Sequence, residues 1–561
     1  MLKRFAAALA LAAMAAGAAA QPSDAKKIPD TGGEGLSEPT LYEFLLGEIA
    51  VQRGDYQTAA ETYLDLAKRT RDPRIARRAV EVANEGKLTE LALQAAKLWQ
   101  DIEPASPAAL QVTAALLISA KRVDEAEPYL EKLLTSPGVN LEAGFLQLNR
   151  LLAGNPDKAA NLRVARKLAA RHDKLPQAHF AVAQAAALAG DDGEALKAIR
   201  RAEELRPDWD SAVLFEAQLL QKNSTAEAAK RLGEFVAAHP DSRDARLGYA
   251  RALVMDKRLP EARKQFEAVL AANPGNTELV YAVGVLAFQL KDYPLAEENM
   301  KKLLGMSYRD PDAVRYILGQ IAEEQKDWPR AVQWYDQIKD GEHAMPARLR
   351  TANAMAKQGK LDAARDYLHK VVVDNPDDQV QVTVAEAQLL RDAKRYREAF
   401  DFLGGELKKD PEEPELLYDY ALTAEKVDRF DVLENSLKKL IQVKPDHAHA
   451  YNALGYSLAD RNERLPEARK LIEKALELAP DDYFIVDSMG WVQYREGNLK
   501  GAAQTLRRAY DGRPDPEIGA HLGEVLWKMG NRAEANRVWE ESLKNAPDNE
   551  TLRQTIQRVR K

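Results

Sequence analysis

Apolar residues recur three and four positions apart through most of this chain, in short blocks that a glycine, asparagine or proline interrupts. Between Asp481 and Pro514, DDYFIVDSMGWVQYREGNLKGAAQTLRRAYDGRP, two such blocks follow one another. Val486, Met489 and Gln493 mark one helix, with Gly490 in the same turn. Gly497-Asn498 then breaks the period, because glycine accepts the left-handed conformation that stops a helix and asparagine caps the next one. Leu499, Ala502, Leu506 and Ala509 mark the second helix, and Pro514 ends the unit, since proline lacks the N–H and clashes with the preceding turn. Neither helix can bury its apolar stripe alone. Each needs the other, and the pair needs neighbours.

The same frame supplies them. A small residue is followed 12 positions later by alanine, then by a large apolar residue 4 further on, an apolar residue 3 further and a proline 5 further. Gly490, Ala502, Leu506, Ala509 and Pro514 fit it, as do Gly523, Ala535, Trp539, Ser542 and Pro547. So do Ala352, Ala364, Leu368, Val371 and Pro376, and Ala183, Ala195, Ile199, Ala202 and Pro207. The frame prolines from Pro376 through Pro411, Pro445, Pro480 and Pro514 to Pro547 are 33 to 35 residues apart. A helix–turn–helix of that period with these signposts resembles the tetratricopeptide repeat. The resemblance implies an all-α solenoid of the tetratricopeptide type, a right-handed superhelix of about fifteen helix pairs plus a capping helix. The array is expected over 40–548, with units closing at Pro73, Pro104 and Pro137, and the capping helix over 549–561. Gly138 to Pro176 fits the frame worst and is expected to be an irregular pair.

The N-terminus reads differently. Lys3-Arg4 precedes an apolar run from Phe5 to Ala16, and Ala18-Ala19-Ala20 stands before Gln21. This is the pattern of a secretory signal peptide over 1–20; an uncleaved N-terminal anchor is the alternative. Residues 21–39, polar and rich in Pro and Gly, are expected to be a disordered leader. The chain has no cysteine, so it uses no disulfide and offers no thiol for a lipid anchor. The expected location is therefore periplasmic, with at most peripheral association with the outer membrane. A net charge of −7 argues against nucleic acid as the main ligand.

Candidate chemistry is sparse. There is no glycine-rich phosphate loop. Gly455-Tyr456-Ser457-Leu458-Ala459 lacks the last glycine of a nucleophile elbow and lies within a repeat helix. His447 and His449 are two apart, which on a helix points them in different directions. No catalytic residue, metal site or cofactor is expected. The densest basic cluster is Lys68, Arg69, Arg71, Arg74, Arg77 and Arg78. It reads either as a solvated face with Glu81 and Glu85 or as a clamp for a partner's carboxylates.

The resemblance implies that the first helix of each pair lines a concave surface. Phe484, Trp491 and Tyr494 hold the corresponding positions around Gly490, Tyr456 around Gly455, Trp527 around Gly523, and Arg74 and Arg77 around Val80. The aromatics serve equally as packing between helices. The opening LYEFLLGEIAVQRGDYQTAAETYLDLAKRTRDPRIARRAVEVA is similar to the first repeats of the envelope tetratricopeptide adaptors of Gram-negative bacteria. The best known of them is an outer-membrane lipoprotein that helps a carboxyl-terminal processing protease degrade peptidoglycan cross-link hydrolases. That resemblance implies a non-enzymatic scaffold whose partners are such a protease and its substrates. A structural part of an envelope secretion or exopolysaccharide-export machine is the alternative.

Overall fold

The computed structural model describes residues 38–373 and 375–561. Among these are 31 helices and no strand, from Glu38–Gln52 to Glu550–Arg560, which taken two by two make fifteen pairs and a last helix. The expected signal peptide, and the leader as far as residue 37, lie outside the described residues. The helices fall into two compact units, Met1–Arg258 and Leu259–Lys561.

The frame has a steric cause. A Cβ built on Gly490 would lie 2.6 Å from Cγ of Leu506, so the helices Tyr483–Arg495 and Leu499–Gly512 touch where the small residue makes room for the large one. Gly284 and Met300 repeat this contact, also at 2.6 Å. In other pairs alanine is small enough: Ala183 and Ile199 are both fully buried. Ala502, Leu506 and Ala509 are likewise fully buried and form the stripe the spacing predicts.

Local caps set the helix ends. Gly497 has φ +86° as expected, and Asn498 Oδ1 accepts the Gly501 N–H at 3.0 Å. The same left-handed position recurs in most pairs, but Lys87, Lys121, Lys257, Lys291, Lys326 and Lys394 occupy it as often as glycine does, with φ between 57° and 62°. An L-residue there costs about 1–2 kcal/mol. The turn survives because the neighbouring backbone bonds hold it: Lys291 N–H donates to Phe288 O and Asp292 N–H to Ala287 O, at 2.9 and 2.8 Å.

Prolines do two jobs. Pro480, Pro514 and Pro547 lie just past a second helix. Pro73, Pro176, Pro311 and Pro376 instead open the next helix at its first position, where the missing N–H costs nothing. Pro73 thus starts a pair rather than closing one. The Gly138–Pro176 stretch is irregular, as its poor fit predicts. The helices Leu141–Leu152 and Lys158–Ala170 hardly touch; the first packs mainly on Pro176–Ala189 and the second on Val123–Leu134 and Pro176–Ala189. Buried Asn155 and Asn161 close the loop between them, bonding each other at 2.9 Å and Leu152 O at 3.0 Å.

Helix Glu550–Arg560 buries Leu552 and Ile556 against the core around Trp539 and leaves polar residues outside. The first helix, Glu38–Gln52, instead leaves Leu41, Tyr42, Leu45, Leu46 and Ile49 exposed.

Candidate partner-binding site

Successive first helices of the second unit, Ala448–Asp460, Tyr483–Arg495 and Pro516–Lys528, bring a polar and aromatic cluster together. Its centre is His521. The imidazole stacks on Trp491 with centroids 4.2 Å apart. Nδ1 lies 2.8 and 3.1 Å from the two oxygens of Asp487, which only accept, so Nδ1 carries a proton. Nε2 lies 3.3 Å from the Tyr456 hydroxyl. Burial alone would lower the His521 pKa, but the Asp487 carboxylate outweighs it and raises the value above that of free histidine. Burial, with Asp460 and Asp487 nearby, pushes the Tyr456 phenol well up.

Trp491 is only 3 % exposed. Its Nε1–H donates to Asp460 Oδ1 at 3.1 Å, and its ring meets Tyr494 at 5.1 Å. Tyr494 donates its hydroxyl to Glu524 at 3.2 Å. Glu524 is itself buried and holds Arg558 of the last helix at 2.6 and 3.2 Å. Trp527 is half-buried, tilted against Trp539 at 5.6 Å with Arg532 over its face. Phe484 is exposed, with the Arg513 guanidinium 4.6 Å from its centroid.

Of the residues picked by offset, the structure therefore joins Tyr456, Trp491 and Tyr494 around His521, sets Trp527 beside Trp539 and leaves Phe484 at the surface. Arg74 and Arg77, in the first unit, are surface residues. Arg74 bonds its own helix cap, Asp72, through both carboxylate oxygens, and Arg77 bonds Glu81 at 2.9 Å. Arg78 holds Glu48 at 2.9 and 3.1 Å, Lys68 holds Asp65, and Arg69 holds Glu43. Each of these cations has an internal carboxylate.

His521 is the residue that offset reasoning passed over. It stands 34 positions after Asp487, one place beyond the equivalent position of the next repeat, so offsets from the small residue do not reach it. Ser457 is buried in helix Ala448–Asp460. His447 is a helix cap, its Nδ1 accepting the Ala450 N–H at 3.1 Å. Asp310, Glu342 and His343 place ligand atoms within 4.8 Å of one another. Asp310 is engaged in capping, however, through Ala313 N–H, and the His343 ring stacks on Tyr316.

Profiles of the tetratricopeptide repeat match residues 44–107, 219–286, 281–344, 346–378 and 418–483. The TPR repeat-containing protein PA4667 of Pseudomonas aeruginosa is 34 % identical over 525 residues, covering 93 % of this chain and 88 % of that one. The chain belongs to the tetratricopeptide repeat family, whose arrays are scaffolds that bind other proteins. Cellulose synthase operon protein C of Pseudomonas fluorescens is 23 % identical over 416 residues, 70 % of this chain but only 30 % of that protein's length. Among solved structures, yeast Tom70 is 14 % identical with a TM-score of 0.31, covering 93 % of this chain and 95 % of that one. A thermophilic TPR protein of Thermus thermophilus is 24 % identical with a TM-score of 0.30, covering 32 % and 98 %. No helix among the described residues is long and apolar enough to cross a membrane.

Proposed function

We propose that the protein is a non-enzymatic periplasmic scaffold whose first helices present side chains to partner proteins, and that one partner is a carboxyl-terminal processing protease with its cell-wall hydrolase substrates. The observation that carries the scaffold reading is the array itself: helix pairs follow one another through each of the two units. In this reading exposed Phe484 and half-buried Tyr456, Tyr494 and Trp527 make contacts, Trp491 holds their rings in place, and Arg74 and Arg77 serve at the other end of the sequence. The export pattern of residues 1–20 supports the location, and the opening repeats support the protease. The array over 40–548 and the capping helix over 549–561 are proposed as the partner-binding part of the chain.

Likeness to cellulose synthase operon protein C favours a second reading, a structural part of an exopolysaccharide-export machine. One experiment separates the two. The chain beginning at Gln21 is used to capture proteins from an envelope extract, and these are identified by mass spectrometry. A processing protease is expected; recovery of polysaccharide synthase subunits without it would move the conclusion to the second reading. N-terminal sequencing of the mature form should find Gln21 first, and a chain still starting at Met1 would sink the proposed location.

A further inference from the structure

Within the first unit a cleft of ≈ 290 Å³ opens between the first helices Asp210–Gln221 and Arg243–Met255, beside the second helix Thr225–Ala238. Ala217, Ala228 and Ala252 line it with small side chains, while Leu214 fills the space beside Gly248. Ala217 holds the offset that Trp491 holds in its own repeat, each being the residue 23 before its frame proline, Pro240 and Pro514. Where that repeat has an indole, this one has a methyl group, and the space stays open.

The volume decides what fits. Small-molecule pockets run from about 300 to 1,000 Å³, so this cleft suits one or two side chains rather than a cofactor. Its chemistry decides which ones. The floor is apolar, and Met255 stands at the mouth, 57 % exposed, with a flexible thioether that adapts to varied shapes. One charged residue lines the cleft, Arg251, and it is exposed. Its fellow arginines Arg200 and Arg231 are held by buried Glu216 at 2.7 and 2.6 Å, whereas Arg251 has no carboxylate partner among the described residues. A guanidinium without a carboxylate, beside an apolar hole, is complementary to an apolar side chain with an acidic neighbour.

We propose that this cleft seats an apolar side chain from an extended segment of a partner protein, with Arg251 holding an Asp or Glu within two positions of it. The proposal deepens the scaffold reading and rests on it. Gln218 and Gln221, also in the lining, are placed to bond the backbone of such a segment.

An array of N-acetylated, C-amidated octapeptides with varied apolar and charged positions tests it. The full chain and the variants Ala217→Leu and Arg251→Gln are each probed, with circular dichroism confirming their fold. Peptides retained by the parent chain should pair Leu, Met or Phe with a nearby Asp or Glu. Ala217→Leu, which fills the hole, should cut the retained signal at least fivefold. Arg251→Gln, at an exposed position, should erase the preference for Asp and Glu over Asn and Gln while keeping the apolar requirement. The same selection in all three proteins would overturn the site yet leave the scaffold reading standing, because peptide binding would then lie elsewhere. Selection of lysine-flanked peptides, or retention of none, would also overturn the site, and the envelope capture then decides the scaffold reading on its own.

Discussion

Twenty-three residues before the frame proline, helix Asp210–Gln221 has Ala217 and helix Tyr483–Arg495 has Trp491. Around Ala217 the first helices leave a cleft, and Arg251 beside it has no carboxylate partner among the described residues. Around Trp491 they are bridged by rings and hydrogen bonds, Tyr456 through His521 to Asp487, and Trp491 to Asp460. The backbone plan is the same in both places. What differs is which side chains stand there, Glu216 and Ala217 in one repeat and Gly490 and Trp491 in the other, and whether the charges they meet are already satisfied. A repeat scaffold can therefore carry a packed wall in one repeat and an open cleft in another, since each repeat leans mainly on its neighbours.

The largest effect is expected at Trp491. Because the indole is buried, Trp491→Ala should cost about 3–5 kcal/mol of stability, read as an earlier urea transition of the C-terminal part by circular dichroism. Ala217→Leu should change stability by less than about 1 kcal/mol, because the cleft has room. An unchanged transition for Trp491→Ala would mean that the ring is not part of the packed wall and is free for a partner.

A smaller effect is expected where the frame itself is challenged. Gly490→Val places a branched Cβ against Leu506 and should cost about 1–3 kcal/mol by overpacking. The same measurement on Ala183→Val, at the equivalent position against Ile199, should fall in that range too. If either variant were as stable as the parent, the small-to-large contact would not be what sets the frame.

Titration distinguishes the two regions again. His521 has a folded pKa raised above the unfolded value near 6.5, so the bond to Asp487 stabilises the protein fully below that value. The contribution is lost as pH rises through the folded pKa. Stability of the C-terminal part should thus decline with pH above about 6.5, and Asp487→Asn should remove that slope. Urea transitions followed by circular dichroism across this range check it, and a pH-independent transition in the parent would contradict the pairing.

The smallest effect lies in the turns. Lys257 and Gly497 hold the same left-handed turn position in the two regions, at φ +59° and +86°. Gly497→Lys should cost about 1 kcal/mol, and Lys257→Gly should gain somewhat less, since glycine loses more backbone freedom on folding. Equal and negligible effects would show that the turn carries no strain. Thermal midpoints of the two variants suffice.

Residue spacing alone determined that the chain is built of helix pairs, and about how many. Helix period, left-handed glycines, side-chain caps and prolines act over a few bonds, and the small-to-large contact repeats at a constant separation, so each leaves a mark in the order of residues. It determined the irregular stretch at Gly138–Pro176 too, although not the bonded Asn155 and Asn161 that close it. Offsets from the small residue also placed Tyr456, Trp491, Tyr494 and Trp527 on first helices correctly. They could not decide which of these rings would be covered. That depended on residues one repeat away, such as His521 and Asp460, whose meeting with Trp491 is fixed by the stacking of helices and not by local sequence. The lysines in left-handed turns escaped notice because the strain there is offset by backbone bonds from the two helices that they join. The cleft at Ala217 was invisible for the opposite reason: it is made by side chains that are small, and an absence of volume becomes a feature only once neighbouring helices are packed around it.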